Sequence, residues 1–140
     1  MKDVNGEVHY KGRAYKLVFN LNVMEAIQEE YGSIEEWGNL TDGSANARKK
    51  YESSHKGSWD DLSDKEKAKY EGEADAKAVI FGFAQMINEG IDIDREDGED
   101  IKPMTLKQVG RMITEIGLNS ATDSLKDTVI RSAQSEEKNA

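Results

Sequence analysis

Cysteine is absent from this chain of 140 residues, proline occurs once, at Pro103, and histidine only twice. Without cysteine there are no disulfides and no thiolate metal sites, and a reducing compartment is compatible. No apolar run approaches the roughly 18 residues of a membrane span, so no membrane partner is expected. The first residues, MKDVNGEVHYKG, have no apolar h-region, which predicts no signal peptide. Walker A, GxSxG, GxGxxG and HExxH patterns are missing, so neither an enzyme nor a cofactor is expected. Basic residues are in deficit: 19 Lys and Arg face 28 Asp and Glu, giving a net charge of −9. That balance opposes binding to a phosphate backbone or an anionic membrane and favours solubility. Hydrophobic residues are 36% of the chain, charged residues 34%, and the mean hydropathy is −0.78. A chain of this length still buries roughly 68–70% of its unfolded surface, enough for one core.

What apolar material there is lies concentrated. Ala76 to Gly90 reads AKAVIFGFAQMINEG, with nine apolar residues in fifteen and two of the three phenylalanines. At about 100° per residue, Met86, Val79, Phe83, Ala76, Ile87, Ile80 and Ala84 form one stripe roughly 160° wide. Phe81 falls outside it, beside Lys77 and Asn88. Such a helix must pack against another layer, which predicts a central core helix over 74–90. Phe81 is either covered by another element or left for a partner. Phe81, Phe83, Met86 and Ile87 are therefore the candidate partner-binding residues, acting as core and groove wall together.

Around this helix the periodicities alternate. Val8 and Tyr10, then Tyr15, Leu17 and Phe19, alternate with polar residues about Lys11-Gly12, which predicts a β-hairpin over 8–19. Val23, Met24, Ala26, Ile27 and Tyr31 share a helix face, with Asn20 or Asn22 as N-cap and Gly32 at C′. Ser33 and Glu36 have capping-box spacing for a short helix through Trp37. Residues 38–72 are polar and insertion-like, with scattered anchors at Leu40, Tyr51, Trp59, Leu62 and Tyr70. They are expected to begin as a loop broken by a short basic helix. A second capping box, Ser63 and Glu66, then starts a helix that runs toward the apolar one, with Gly72 weakening the join by about 1 kcal/mol. Residues 90–103 are expected to form an acidic loop. Thr105 and Gln108 cap a helix carrying Leu106, Val109, Met112, Ile113 and Ile116, stopped by Gly117, and a last helix carries Leu125 and Val129. The fold class is therefore mainly α with a little β (α+β). It is an N-terminal hairpin followed by a bundle of about four to six helices, in one domain over 1–134, with a disordered tail at 135–140.

Several local patterns invite chemistry. Asp92, Asp94, Glu96, Asp97, Glu99 and Asp100 are oxygen donors in a row. An EF-hand register with Gly98 at the invariant glycine puts Ile93 and Arg95 at ligand positions, and one starting at Asp92 ends on Pro103. Both fail, and no metal is expected. His9, on a strand, and His55, in a polar stretch, have no partners at zinc spacing. Glu89 is the least solvated carboxylate by pattern, and no acidic pair sits where apolar surroundings would split its pKa values. Arg48-Lys49-Lys50 reads as a solvated face or a mate for acidic residues. Trp59 to Tyr70, WDDLSDKEKAKY, resembles the second-helix region of an HMG box in its Trp, Leu-Ser, Lys and Tyr. Ser58 to Lys77 nevertheless carries seven acids against four lysines. No basic first helix or apolar wedge accompanies it. A DNA-associated protein acting through this segment is the alternative reading, and it predicts salt-sensitive duplex binding.

The order of the parts carries a wider resemblance. A hairpin leads into a capped helix in YKLVFNLNVMEAIQEEYGSIEEW, an apolar helix ends in MINEGIDI, and a capped helix follows in MTLKQVGRMITEIGL. This arrangement resembles the tail assembly chaperones of long-tailed phages and of prophages in Gram-positive bacteria. The matching positions are Tyr15 to Trp37, Ala78 to Ile93 and Pro103 to Leu118, and residues 38–72 depart from the shorter members. The resemblance implies a non-enzymatic protein of the bacterial cytoplasm, absent from the finished virion. Its implied partners are the tape measure protein, which it keeps soluble, the tail tube protein, and a frameshifted longer form of the same product. A tape measure segment is a long amphipathic helix, which a helix-binding apolar groove would accept.

Overall fold

Lys11 and Gly12 both hold positive φ angles, 49° and 75°, which makes a two-residue turn of the type that matches strand twist. In the computed structural model, which describes residues 6–139 and side chains as far as 134, this turn joins β1 (Gly6–Tyr10) to β2 (Arg13–Leu17). The antiparallel register pairs Gly6 with Leu17, Val8 with Tyr15 and Tyr10 with Arg13. Alternation then sends Val8 and Leu17 inward and leaves Glu7 and His9 in solvent.

Seven α-helices follow among the described residues: α1 (Leu21–Tyr31), α2 (Ile34–Thr41), α3 (Ser44–Ser54), α4 (Asp64–Lys67), α5 (Ala76–Glu96), α6 (Leu106–Ile116) and α7 (Leu118–Asn139). The fold is mainly α with a β-hairpin, and it has more helices than the sequence leads one to expect. Asn20 caps α1 by accepting the Val23 N–H, and Gly32 ends it with φ of 90°. Ser33 accepts the Glu36 N–H at the start of α2. Thr105 and Gln108 form the reciprocal capping box of α6. The tail expected at 135–140 falls where side chains lie outside the described residues; the helical backbone of α7 reaches Asn139.

The central helix differs from its expected form. It does not stop at Gly90 but continues for almost two more turns to Glu96, so the first half of the expected acidic loop is helix. Ile91, only 2% exposed, extends the apolar face, and Asp94 on the next turn pairs with Lys16 of β2 at 2.5 Å. Gly90 serves close packing instead of ending the helix, since a Cβ there would sit 2.7 Å from the Lys16 carbonyl oxygen. The strand lies so close to the helix that only glycine fits. Val18 completes the dock by donating its N–H to the Met86 carbonyl at 3.2 Å. Gly82 plays the same part for Trp37, whose ring rests where a Cβ would be and whose Nε1 donates to the Ala78 carbonyl at 3.0 Å.

Helix α5 is thus enclosed by β2, α1, α2, α6 and α7. Ala78, Val79, Phe83, Ala84, Met86, Ile87 and Ile91 are all buried, a wider arc than the expected stripe, whereas Ala76 of that stripe is exposed and Ile80 half-buried. Leu17, Phe19, Val23, Ile27, Trp37, Val109, Met112, Ile113 and Leu125 complete the core. The last helix closes over the hairpin: Thr128 lies against Gly6, and Ser132 Oγ donates to the Phe19 carbonyl at 2.9 Å.

Gly82→Ala separates the two roles of that glycine. Helix propensity alone would give a gain of about 1 kcal/mol. Overpacking against Trp37 is expected to win and cost about 1–3 kcal/mol. Urea denaturation reads the sign, and a raised midpoint contradicts the packing account.

Candidate functional site

The four candidate residues on the central helix have separate fates. Phe83, Met86 and Ile87 are 0% exposed and form the middle of the core. They present nothing to a partner in this structure. Phe81 is half-buried at its edge, where its ring meets Tyr31 of α1 edge-on at 5.6 Å and 74°. Tyr31 therefore supplies cover for Phe81. The Tyr31 hydroxyl is itself buried with no hydrogen-bond partner. Burial raises its pKa first, with Asp75 and Glu30 adding to the rise.

Polar side chains fix the surroundings of this helix. Glu89 is half-buried and accepts from Asn20 at 2.5 Å and from Asn22 at 2.9 Å, tying the start of α1 to α5. Asn88 bonds the Met104 backbone twice, through its amide to the carbonyl at 2.9 Å and its oxygen to the N–H at 2.8 Å. It thereby seats the chain that enters α6. The remaining acids close no metal site: among the described residues no group of three His, Asp or Glu is placed to hold an ion. The hydrogen bond to Asp94 raises the Lys16 pKa, opposed by burial.

In residues 38–72 the anchors Tyr51, Trp59, Leu62 and Tyr70 come together, which their scattered spacing does not announce. The expected short basic helix is present as α3 (Ser44–Ser54), carrying Arg48-Lys49-Lys50, but the loop around it is smaller than expected, since α2 runs on to Thr41, past Trp37. Helix α4 is a single turn despite its complete Ser63–Glu66 capping box, and it does not run into α5. Gly72 stands in the non-helical stretch between the two helices. It lies against the backbone of Gly43 and Ala47, closer than any Cβ would permit. Residues 58–75 form a 3-10 turn (Trp59–Asp61), one helical turn and a non-helical connection before α5 begins at Ala76, so no single helix spans the segment that resembles an HMG box.

This stretch builds a second, smaller core from Ala47, Tyr51 and Trp59, with Leu62 and Tyr70 packed on it. Tyr51 meets Trp59 and Tyr70 edge-on and stacks on His55 at 4.2 Å. Arg48 bonds Glu52 at 3.4 Å and Asp60 at 3.3 Å, so one member of the basic cluster mates with acids. A cleft of about 860 Å³ opens beside this core, lined by Leu40, Ala47, Trp59 and Tyr70 with Glu35 and Lys67 among the charges at its wall. The signal lies in the spacing of Ala47, Tyr51 and His55 at four-residue intervals, one helix face with no apolar run to mark it.

Among the described residues no helix is long and apolar enough to cross a membrane. Comparison of the chain with known protein families, with curated proteins and with solved structures finds no match.

The small core answers to its own contacts. Trp59→Ala is expected to speed hydrogen exchange over residues 44–70 while β2 and α5 keep their protection, because the two cores open separately. Loss of protection throughout α5 in the same variant contradicts this separation.

Proposed function

We propose that this protein is a phage tail assembly chaperone. In this reading it binds the tape measure protein, keeps it soluble and helps recruit tail tube protein while the tail is built. One observation supports the reading above the others. The three segments that resemble the family, Tyr15 to Trp37, Ala78 to Ile93 and Pro103 to Leu118, supply Leu17, Ile27, Trp37, Phe83, Met86, Val109 and Met112 to one continuous core. Residues 38–72, which depart from the family, have a core of their own. The part that resembles the family is thus a coherent unit, and the departure is an annex to it. The net charge of −9 suits a carrier for an aggregation-prone helical client. The reading places the protein in the bacterial cytoplasm and outside the finished virion.

Capture of the client tests it. The gene is expected to lie between those for the tail tube and the tape measure protein. Co-expression with helical fragments of that tape measure protein is expected to bring them into the soluble fraction and through co-purification. Fragments that stay insoluble and never co-purify overturn the proposal. Phe81 is the one of the four candidate residues with surface left for a client. Phe81→Ala is expected to weaken capture and to destabilise the fold less than Phe83→Ala, which removes a fully buried ring at about 3–5 kcal/mol. Equal thermal losses for the two variants would make Phe81 core alone.

A further inference from the structure

The hairpin has two edges, and they are treated differently. Tyr10 and Arg13 close the two-residue turn, so the hydrogen-bonded positions of the ladder are Tyr10, Val8 and Gly6 on β1 and Arg13, Tyr15 and Leu17 on β2. On β2 the groups that point away from the ladder meet α5: the Lys16 carbonyl lies over Gly90 and the neighbouring Val18 N–H bonds Met86. On β1 the groups that point away belong to Glu7 and His9. The sheet has two strands, and among the described residues no strand pairs with this outer edge. Helix α7 meets β1 at Gly6, where Thr128 lies in the direction a Cβ would take. An uncovered edge of this kind is a template for another strand.

We infer that the outer edge of β1 pairs with the same edge of a second copy of this chain, antiparallel and centred on Val8. Charge selects both occupant and register. Antiparallel pairing through outward-facing groups allows three central registers. One sets Glu7 against Glu7 of the second copy, one sets His9 against His9, and one sets Glu7 against His9 twice. Opposed carboxylates destabilise a cross-strand pair, opposed imidazoles leave each Glu7 without a partner, and acid opposite imidazole supplies a hydrogen-bonding pair twice. Within one chain the His9 Nε2 already lies 3.0 Å from Glu7 Oε1, so the two side chains are matched in length and chemistry. Both project from the exposed face, with 77% and 51% of their side chains accessible. The product is a four-stranded sheet across a two-fold axis, a self-complementary interface. Its small area makes it a weak, concentration-dependent dimer.

Sedimentation and light scattering of the full chain over a concentration series test this. The mass is expected to rise from 15.7 kDa toward twice that value. Glu7→Lys sets a cation against His9 of the second copy and is expected to weaken association at least tenfold. Glu7→Pro removes an outward N–H without touching the ladder and is expected to do the same, with circular dichroism unchanged in both variants. The double exchange of Glu7→His with His9→Glu restores acid opposite imidazole and is expected to restore the dimer. A wild-type chain that stays at 15.7 kDa at every concentration overturns the inference. A dimer indifferent to both Glu7 variants also overturns it, since association then uses another face. Failure of the double exchange to recover association overturns the register.

Discussion

Val18 donates its N–H to a carbonyl in the middle of α5, and Gly90 one turn further on lets the Lys16 carbonyl approach the same helix. This backbone-to-backbone seam between a strand and a helix is unusual, because a helix normally shows neighbours its side chains. It brings the hairpin to the helix axis and leaves no room for a layer between them. Trp37 uses Gly82 in the same manner from α2. With those two glycines fixed, the remaining neighbours must close around the rest of the circumference. The helix is therefore buried over most of its circumference, although its apolar residues suggest one stripe.

The annex is joined to this assembly by a second pair of glycines. Gly43 holds φ of 86° before α3, and its backbone meets that of Gly72 on the way to α5. Between them the chain leaves the main core after Thr41 and returns at Ala74, whose neighbour Asp75 donates its N–H to the Leu40 carbonyl at 2.9 Å. Aromatic edges do inside the annex what aliphatic packing does in the main core. A polar stretch of sequence thereby acquires order from four rings and few aliphatic side chains.

Much of the main core is legible because its elements obey local rules. Caps at Asn20, Ser33 and Thr105 and stops at Gly32 and Gly117 stand where the sequence places them. Gly90 misleads because glycine after an apolar run has two meanings, helix stop and close approach, and only the partner strand decides between them. The acids after it resemble a loop when charge is weighed and the continuing Ile91 and Ile93 are not. The annex is legible only in its parts, in its basic helix, its capping box and its anchors Tyr51, Trp59, Leu62 and Tyr70, and not in their assembly. Its capping box at Ser63 and Glu66 is complete, yet the helix it starts lasts one turn, and the stretch that follows is placed by the approach of Gly72 to Gly43 and Ala47, residues far off in sequence. Of the candidate residues, the burial of Phe83, Met86 and Ile87 follows from the stripe. The partial cover of Phe81 depends on Tyr31, and no periodicity within α5 could supply that.

The contacts of the hairpin also set an order of events during synthesis. Its strands precede the helix that receives β2 by about 70 residues, and Phe19 precedes Ser132, which bonds it, by 113 residues. Contacts this distant in sequence form late, because the loop between them must close first. The inward faces of Val8, Leu17 and Phe19 therefore have no permanent cover until α5 and then α7 have emerged. The hairpin thus emerges as an apolar ribbon with no cover of its own until those helices have been made, and charged residues in the intervening stretch oppose its pairing with a wrong neighbour.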